Sequence, residues 1–216
     1  LQVNSVMKQF NVEIKKTARY FQIGEITART KEVWFVLHGY GQLANYFLKK
    51  FNILDNGQRV IIAPEGLHRF YWKGYSGRVV ASWMTKEDRL SDVKDYIQFL
   101  DGIYSHLQIE SMVHVKLLGF SQGTATACRW ALLGDSKFDE LILWSGTFPR
   151  DINYNEHKQE LNTLNVKLVI GEQDEFYSME EAVAHQDWVT RQGVNVEFSS
   201  FSGGHVIDEE TLLNMV

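Results

Sequence analysis

The chain has 216 residues, 44% hydrophobic and 13% aromatic, which suffices for one well-filled core and is short for two. A formal charge of −5 with no long run of Lys or Arg argues against nucleic acid or an anionic membrane surface as the main partner. No stretch reaches the ~18 uninterrupted apolar residues of a membrane helix, and residues 1–20 lack the regions of a secretory signal.

These limits predict one domain over residues 7–216, cytoplasmic, with no integral membrane association, working as a monomer or homodimer on a small molecule. Residues 1–6 read as an expression remnant or a disordered N-terminus, with Met7 as a natural start. The single cysteine, Cys128, has no partner for an internal disulfide, which suits a reducing compartment.

In chain order, residues 7–14 and 18–23 are extended and partly alternating around Lys15-Lys16-Thr17, and predict an antiparallel hairpin at a sheet edge. An apolar strand at 33–37 leads into His38-Gly39-Tyr40-Gly41, whose glycines let backbone N–H groups face a site or simply make a tight turn. A helix is expected at 43–51 and a strand at 60–63. Residues 64–84 then form a long connection carrying Phe70, Tyr71, Trp72, Tyr75 and Trp83. A long aromatic loop in a compact domain is either a functional wall or an ordered packing element. The first reading makes Trp72 and Trp83 substrate-binding candidates, with Phe148 on a second wall within the variable segment 146–164.

A long helix is expected at 86–107, with Leu90, Val93, Ile97, Leu100, Tyr104 and Leu107 on one stripe and Thr85 as its cap. After it, Val113, Val115, Leu117 and Leu118 form a short apolar strand that runs into Gly119-Phe120-Ser121-Gln122-Gly123. A helix with a small-residue face (Ala125, Ala127, Cys128, Ala131, Leu132) follows. A serine on such a strand-to-helix turn needs nearly side-chain-free neighbours two positions away on either side, and Gly119 and Gly123 meet that demand. The plainer alternative is a serine N-cap on an ordinary turn. Strands at 140–144, 166–170 and 194–201 and helices at 179–192 and from 207 complete the pattern. Ser178 with Glu181 reads as a capping box, and Gly193 is placed to end the penultimate helix. Alternating strands and helices imply right-handed crossovers and a mostly parallel sheet covered on both faces.

A serine hydroxyl is a weak nucleophile until an imidazole can take its proton, and the imidazole needs a carboxylate to fix its tautomer. Asp174 follows the strand at 166–170 in a loop it shares with Glu172 and Glu175. His205 follows the last strand in Ser202-Gly203-Gly204-His205. The order Ser, Asp, His fits a hydrolase triad. Backbone donors for a developing oxyanion are expected from Gln122 and Tyr40. No metal-ligand spacing, P-loop or dinucleotide fingerprint appears, so neither metal nor cofactor is expected.

From Lys8 onward the chain resembles the small, lidless serine hydrolases of the phospholipase/carboxylesterase family, which includes the acyl-protein thioesterases. The likeness rests on LHGYG, on Gly-Phe-Ser-Gln-Gly at 119–123, on Ala63-Pro64 and on Ser82-Trp83. The family commonly reads His-Gly-Leu-Gly-Asp where this chain has His38-Gly39-Tyr40-Gly41-Gln42. The resemblance implies a single-domain α/β-hydrolase fold with no large cap domain. It also implies attack by Ser121 on an ester or thioester, with His205 as base then acid and Asp174 orienting it. A peptidase or lactonase chemistry on the same triad, and a silent binding protein on the same scaffold, are the other classes.

Overall fold

The computed structural model describes residues 7–216, so the expectations for residues 1–6 lie outside the described residues. The strands of the main sheet are β1 (Tyr20–Ile23), β2 (Glu32–Leu37) and β3 (Arg59–Pro64), then, past a separate hairpin of β4 (His68–Lys73) and β5 (Ser76–Ser82), β6 (His114–Phe120), β7 (Glu140–Trp144), β8 (Asn165–Gly171) and β9 (Val196–Phe201). They lie in the order β1-β3-β2-β6-β7-β8-β9. Only β1 runs antiparallel to its neighbour; every other pair is parallel.

The helices are α1 (Ala44–Leu48), α2 (Arg89–Leu107), α3 (Gln122–Leu133), α4 (Lys158–Thr163), α5 (Met179–Thr190) and α6 (Glu209–Leu213). Because successive strand residues point to opposite faces, Val33, Phe35 and Leu37 pack against α2 and α3 while Trp34 and Val36 pack on the other side. There Phe47 of α1, Phe51 of the following 3-10 turn and Leu212 of α6 cover them. Strands buried on both faces read as continuous apolar runs, which is why β2, β6, β7 and β8 are visible in the sequence. Among the described residues no helix is long and apolar enough to cross a membrane.

Four expectations are corrected. Residues 7–19 form no strand, so the N-terminal hairpin is absent. The edge of β3 is taken by Tyr20–Ile23 alone, and Phe10, Val12 and Ile14 stay more than four-fifths exposed. Instead the segment is held by side chains, with Asn11 Nδ2 donating to Asp88 and Ser91 and Lys94 pairing with Glu13. The long connection 64–84 is the β4–β5 hairpin, turning at Gly74 with φ +69°. The long helix starts at Arg89 because Asp88 is left-handed, and the Thr85 hydroxyl accepts only the N–H of Glu87. Leu90 is exposed and leaves the predicted stripe. Finally, the helix at 43–51 is one short α segment that tightens into a 3-10 turn over Lys49–Leu54. The capping box of Ser178 and Glu181 and the left-handed Gly193 are as expected.

Candidate active site

The parallel topology gathers the loops after β2, β6, β8 and β9 at the carboxyl ends of the strands, where open α/β sheets hold their ligands. Ser121 sits between β6 and α3 with φ 54° and ψ −118°, a conformation an L-residue adopts only when its surroundings enforce it. Its N–H donates to the Trp144 carbonyl at 2.9 Å, and the Thr124 hydroxyl donates to its carbonyl at 2.7 Å. A Cβ on Gly119 would overlap the Gly123 carbonyl, and one on Gly123 would overlap that of Leu37. The two glycines therefore let helix, strand and the next strand's end approach backbone to backbone.

Asp174 lies at the end of β8 with its side chain fully buried, and both of its oxygens face Nδ1 of His205 at 2.9 and 3.0 Å. One of them also accepts the N–H groups of Phe176 and Tyr177, at 2.9 and 3.2 Å. The aspartate thereby closes its own loop while orienting the imidazole, and Nδ1 carries the proton it donates. Glu172 and Glu175 are exposed. Glu172 accepts from the Ser200 hydroxyl and Glu175 from the His205 N–H at 3.3 Å. The His205 ring lies 4.8 Å from Phe120, the residue before Ser121, and 4.7 Å from Phe176 between centroids.

The loop after β2 comes against the same turn, since a Cβ on Gly39 would stand 3.1 Å from Cβ of Ser121. It is fixed from beneath by His38. That imidazole is fully buried; its Nδ1–H donates to the Gly39 carbonyl at 2.8 Å and its Nε2 accepts the Gly66 N–H at 3.0 Å. Burial pushes it down to about 4, so it stays neutral in one tautomer. Gln42 Oε1 accepts the Gly39 N–H at 2.9 Å, and Gly41 and Gln42 exchange backbone bonds with Ala81 of β5, each 2.9 Å. Tyr40 is thus held between two anchored glycines, directly after the Gly39 that approaches Ser121. On the other side, Gln122 opens α3, and its side chain binds the Ser82 hydroxyl, the Trp83 N–H and the Met84 carbonyl. Its own N–H, at the first position of the helix, has no intrahelical acceptor.

Two of the aromatic candidates are corrected. Trp83 is fully buried, stacked 5.0 Å from His38 and donating Nε1–H to the His38 carbonyl at 2.8 Å, so it supports the loop from inside the core. Phe148 is likewise core, packed edge-on against Tyr154 and His185. Trp72 alone is open to a ligand, 46% exposed and 5.9 Å from the Tyr40 ring. Cys128 is buried and burial raises its thiol, so it is inert packing. Among the described residues no group of three or more His, Cys, Asp or Glu side chains could hold a metal ion.

Sequence reasoning passed over His38 and Phe176. The former is hidden inside the motif it supports, and the latter carries no signal beyond its place two residues after Asp174.

Residues 18–216 match the family described as Phospholipase/Carboxylesterase. Among solved structures, the chain is similar to an acyl-protein thioesterase 2 from Zea mays at 18% identity, covering 92% of this chain and 96% of that one, with a TM-score of 0.74. It is also similar to a Bacillus cereus carboxylesterase at 16% identity, covering 92% and 91%, with a TM-score of 0.65. The Arabidopsis thaliana protein SOBER1 is 18% identical over 86% of this chain and 96% of its own, with a TM-score of 0.61. No curated protein sequence matches. At these identities the likeness establishes the α/β-hydrolase fold.

Proposed function

The chain belongs to the phospholipase/carboxylesterase family, and on that premise we propose that it is a serine hydrolase cleaving carboxylic esters or thioesters of small molecules through an acyl-enzyme. The observation that carries the reading is the left-handed Ser121 clasped between Gly119 and Gly123, with the His205–Asp174 pair on the neighbouring loops.

In this reading Ser121 Oγ attacks the carbonyl carbon as its proton passes to Nε2 of His205. Asp174, bonded to Nδ1, stabilises the imidazolium without accepting its proton. The N–H groups of Tyr40 and Gln122 receive the oxyanion, and because the protein already holds them in place no reorganisation is needed during the reaction. Collapse of the tetrahedral intermediate breaks the bond to the alcohol or thiol, which takes the proton from His205 and departs. Water then repeats the sequence on the acyl-serine, releasing the acid. Side chains and backbone supply all of this chemistry.

The test is hydrolysis of p-nitrophenyl esters of graded acyl length, paired with labelling by a fluorophosphonate. Turnover and stoichiometric labelling are expected, with both lost in Ser121→Ala and the fold retained. Labelling that persists in Ser121→Ala, or absence of turnover across the panel, overturns the reading.

A further inference from the structure

The loop that carries Tyr40 also lines a groove of about 540 Å³ that shares only Tyr40 with the proposed chemistry. Gly41 and Leu43 line it from that loop. One wall comes from α1 and the turn after it, with Tyr46 and Lys50, and the other from the β4–β5 hairpin, with Trp72 and Arg78. The volume lies in the range of small-molecule sites.

The composition of this lining departs from that of the chain. The protein carries 27 acidic and 22 basic side chains, yet no Asp or Glu lines the groove while two cations do. The Arg78 guanidinium lies 5.8 Å above the Trp72 ring. Neither Arg78 nor Lys50 forms an ion pair with a described residue, as is true also of Arg29, Arg150 and Arg191, whereas Arg19, Arg59, Arg69, Arg89 and Arg129 are paired. Two cations without counter-charge beside flat aromatic surface create a local positive potential next to the apolar lining of Leu43, Phe47 and Val80. Tyr40 joins this groove to the site: it follows Gly39, where a Cβ would stand 3.1 Å from Cβ of Ser121, and its ring packs 5.9 Å from Trp72.

We propose that the groove is a substrate subsite for an anion carried on an apolar body. The favoured substrates are esters in which a carboxylate or phosphate pairs with Arg78 and Lys50 while the attached apolar portion lies along Trp72 and Tyr46. This rests on the serine-hydrolase reading for its catalytic consequence, but the binding itself can be measured without turnover.

Calorimetric titration of the whole protein with 2-naphthoate, 2-naphthyl phosphate and neutral 2-naphthol reads the subsite directly. Tighter binding of either anion than of 2-naphthol, weakened by added salt and by Arg78→Gln with Lys50→Gln, is expected. Naphthoate alone binding identifies a carboxylate source and the phosphate alone a phosphate source. Equal binding of the neutral compound, or no effect of the double substitution, overturns the proposal. The catalytic arm compares mono-p-nitrophenyl glutarate with p-nitrophenyl butanoate. An exposed ion pair of ordinary strength predicts a preference for the anionic ester of about fivefold in kcat/KM, lost in the double variant and partly kept in Arg78→Lys. If no ester is turned over but the anions still bind selectively, the serine-hydrolase reading fails and the subsite stands. If esters are turned over with no selectivity for charge in either arm, the subsite fails and the hydrolase stands.

Discussion

The indole of Trp72 occupies the space that any side chain on Gly41 would need, its Cη2 atom lying 3.1 Å from the position of a Cβ there. The loop next to Ser121 and the aromatic hairpin are therefore fitted to each other at one glycine, whose φ of +74° also disfavours any other residue.

Gly41→Ala should both strain the backbone, by about 1–2 kcal/mol, and push Trp72 aside. Thermal melting should fall by a few degrees, and ester turnover should fall more than stability alone explains. Adding Trp72→Ala removes the overlap and leaves the strain, so turnover should recover in part while the melting temperature does not. Unchanged turnover in Gly41→Ala would show that the hairpin does not set the loop.

Asp174→Asn keeps size but can neither hold the same tautomer nor stabilise the imidazolium, and by analogy with other triads it should cost on the order of 10⁴ in kcat. Glu172 and Glu175 are exposed and touch only the Ser200 hydroxyl and the His205 N–H. Their change to Gln should cost far less. Steady-state kinetics of the three variants assign the acid, and a crippling Glu172→Gln or Glu175→Gln would move it.

Burial lowers the His38 imidazole from 6.5 to about 4, so between those values the unfolded chain takes up a proton that the folded chain refuses. Stability is whole above that window and falls as the pH drops through it, by on the order of 3 kcal/mol. Urea denaturation on both sides of the window reads the loss. His38→Gln can still accept from Gly66 and donate to the Gly39 carbonyl, and it should flatten the dependence. An equal slope in both proteins would place the acid sensitivity elsewhere.

Phe176 is 68% exposed and yet spends its ring on His205. Such an aromatic contact is worth about 0.5–1.5 kcal/mol, so Phe176→Ala should lower kcat/KM by roughly two- to tenfold with little change in melting temperature. Phe176→Leu should recover part of it. A large loss of stability instead would make the ring a structural prop.

The strand and helix order of the parallel core was legible because strands buried on both faces leave unbroken apolar runs; Ser121 and Asp174 follow two such runs, and His205 follows the half-exposed edge strand β9. The N-terminal segment misled for the opposite reason. MKQFNVEI alternates like a strand, but alternation records only what a strand could bury, and here Phe10, Val12 and Ile14 are left exposed with no strand pairing. The β4–β5 hairpin stayed hidden because the residues flanking its turn are solvated on both faces, leaving no period to read. Trp83 and Phe148 show the limit for single side chains, since a tryptophan that walls a pocket and one that props up a loop from below have the same letter. Only the contact with His38 tells Trp83 apart.

The grip of the Gln122 side chain on Ser82, Trp83 and Met84 ties the first residue of the nucleophile's helix to the foot of the hairpin. A hairpin grafted from a relative would arrive with its own aromatic lining but would meet Gln122 through a different foot, and the Gln122 N–H, proposed as an oxyanion donor, would move with it. Exchanging substrate preference between members of this fold by swapping that hairpin should therefore carry a cost in rate unless residues 82–84 and 122 are exchanged together.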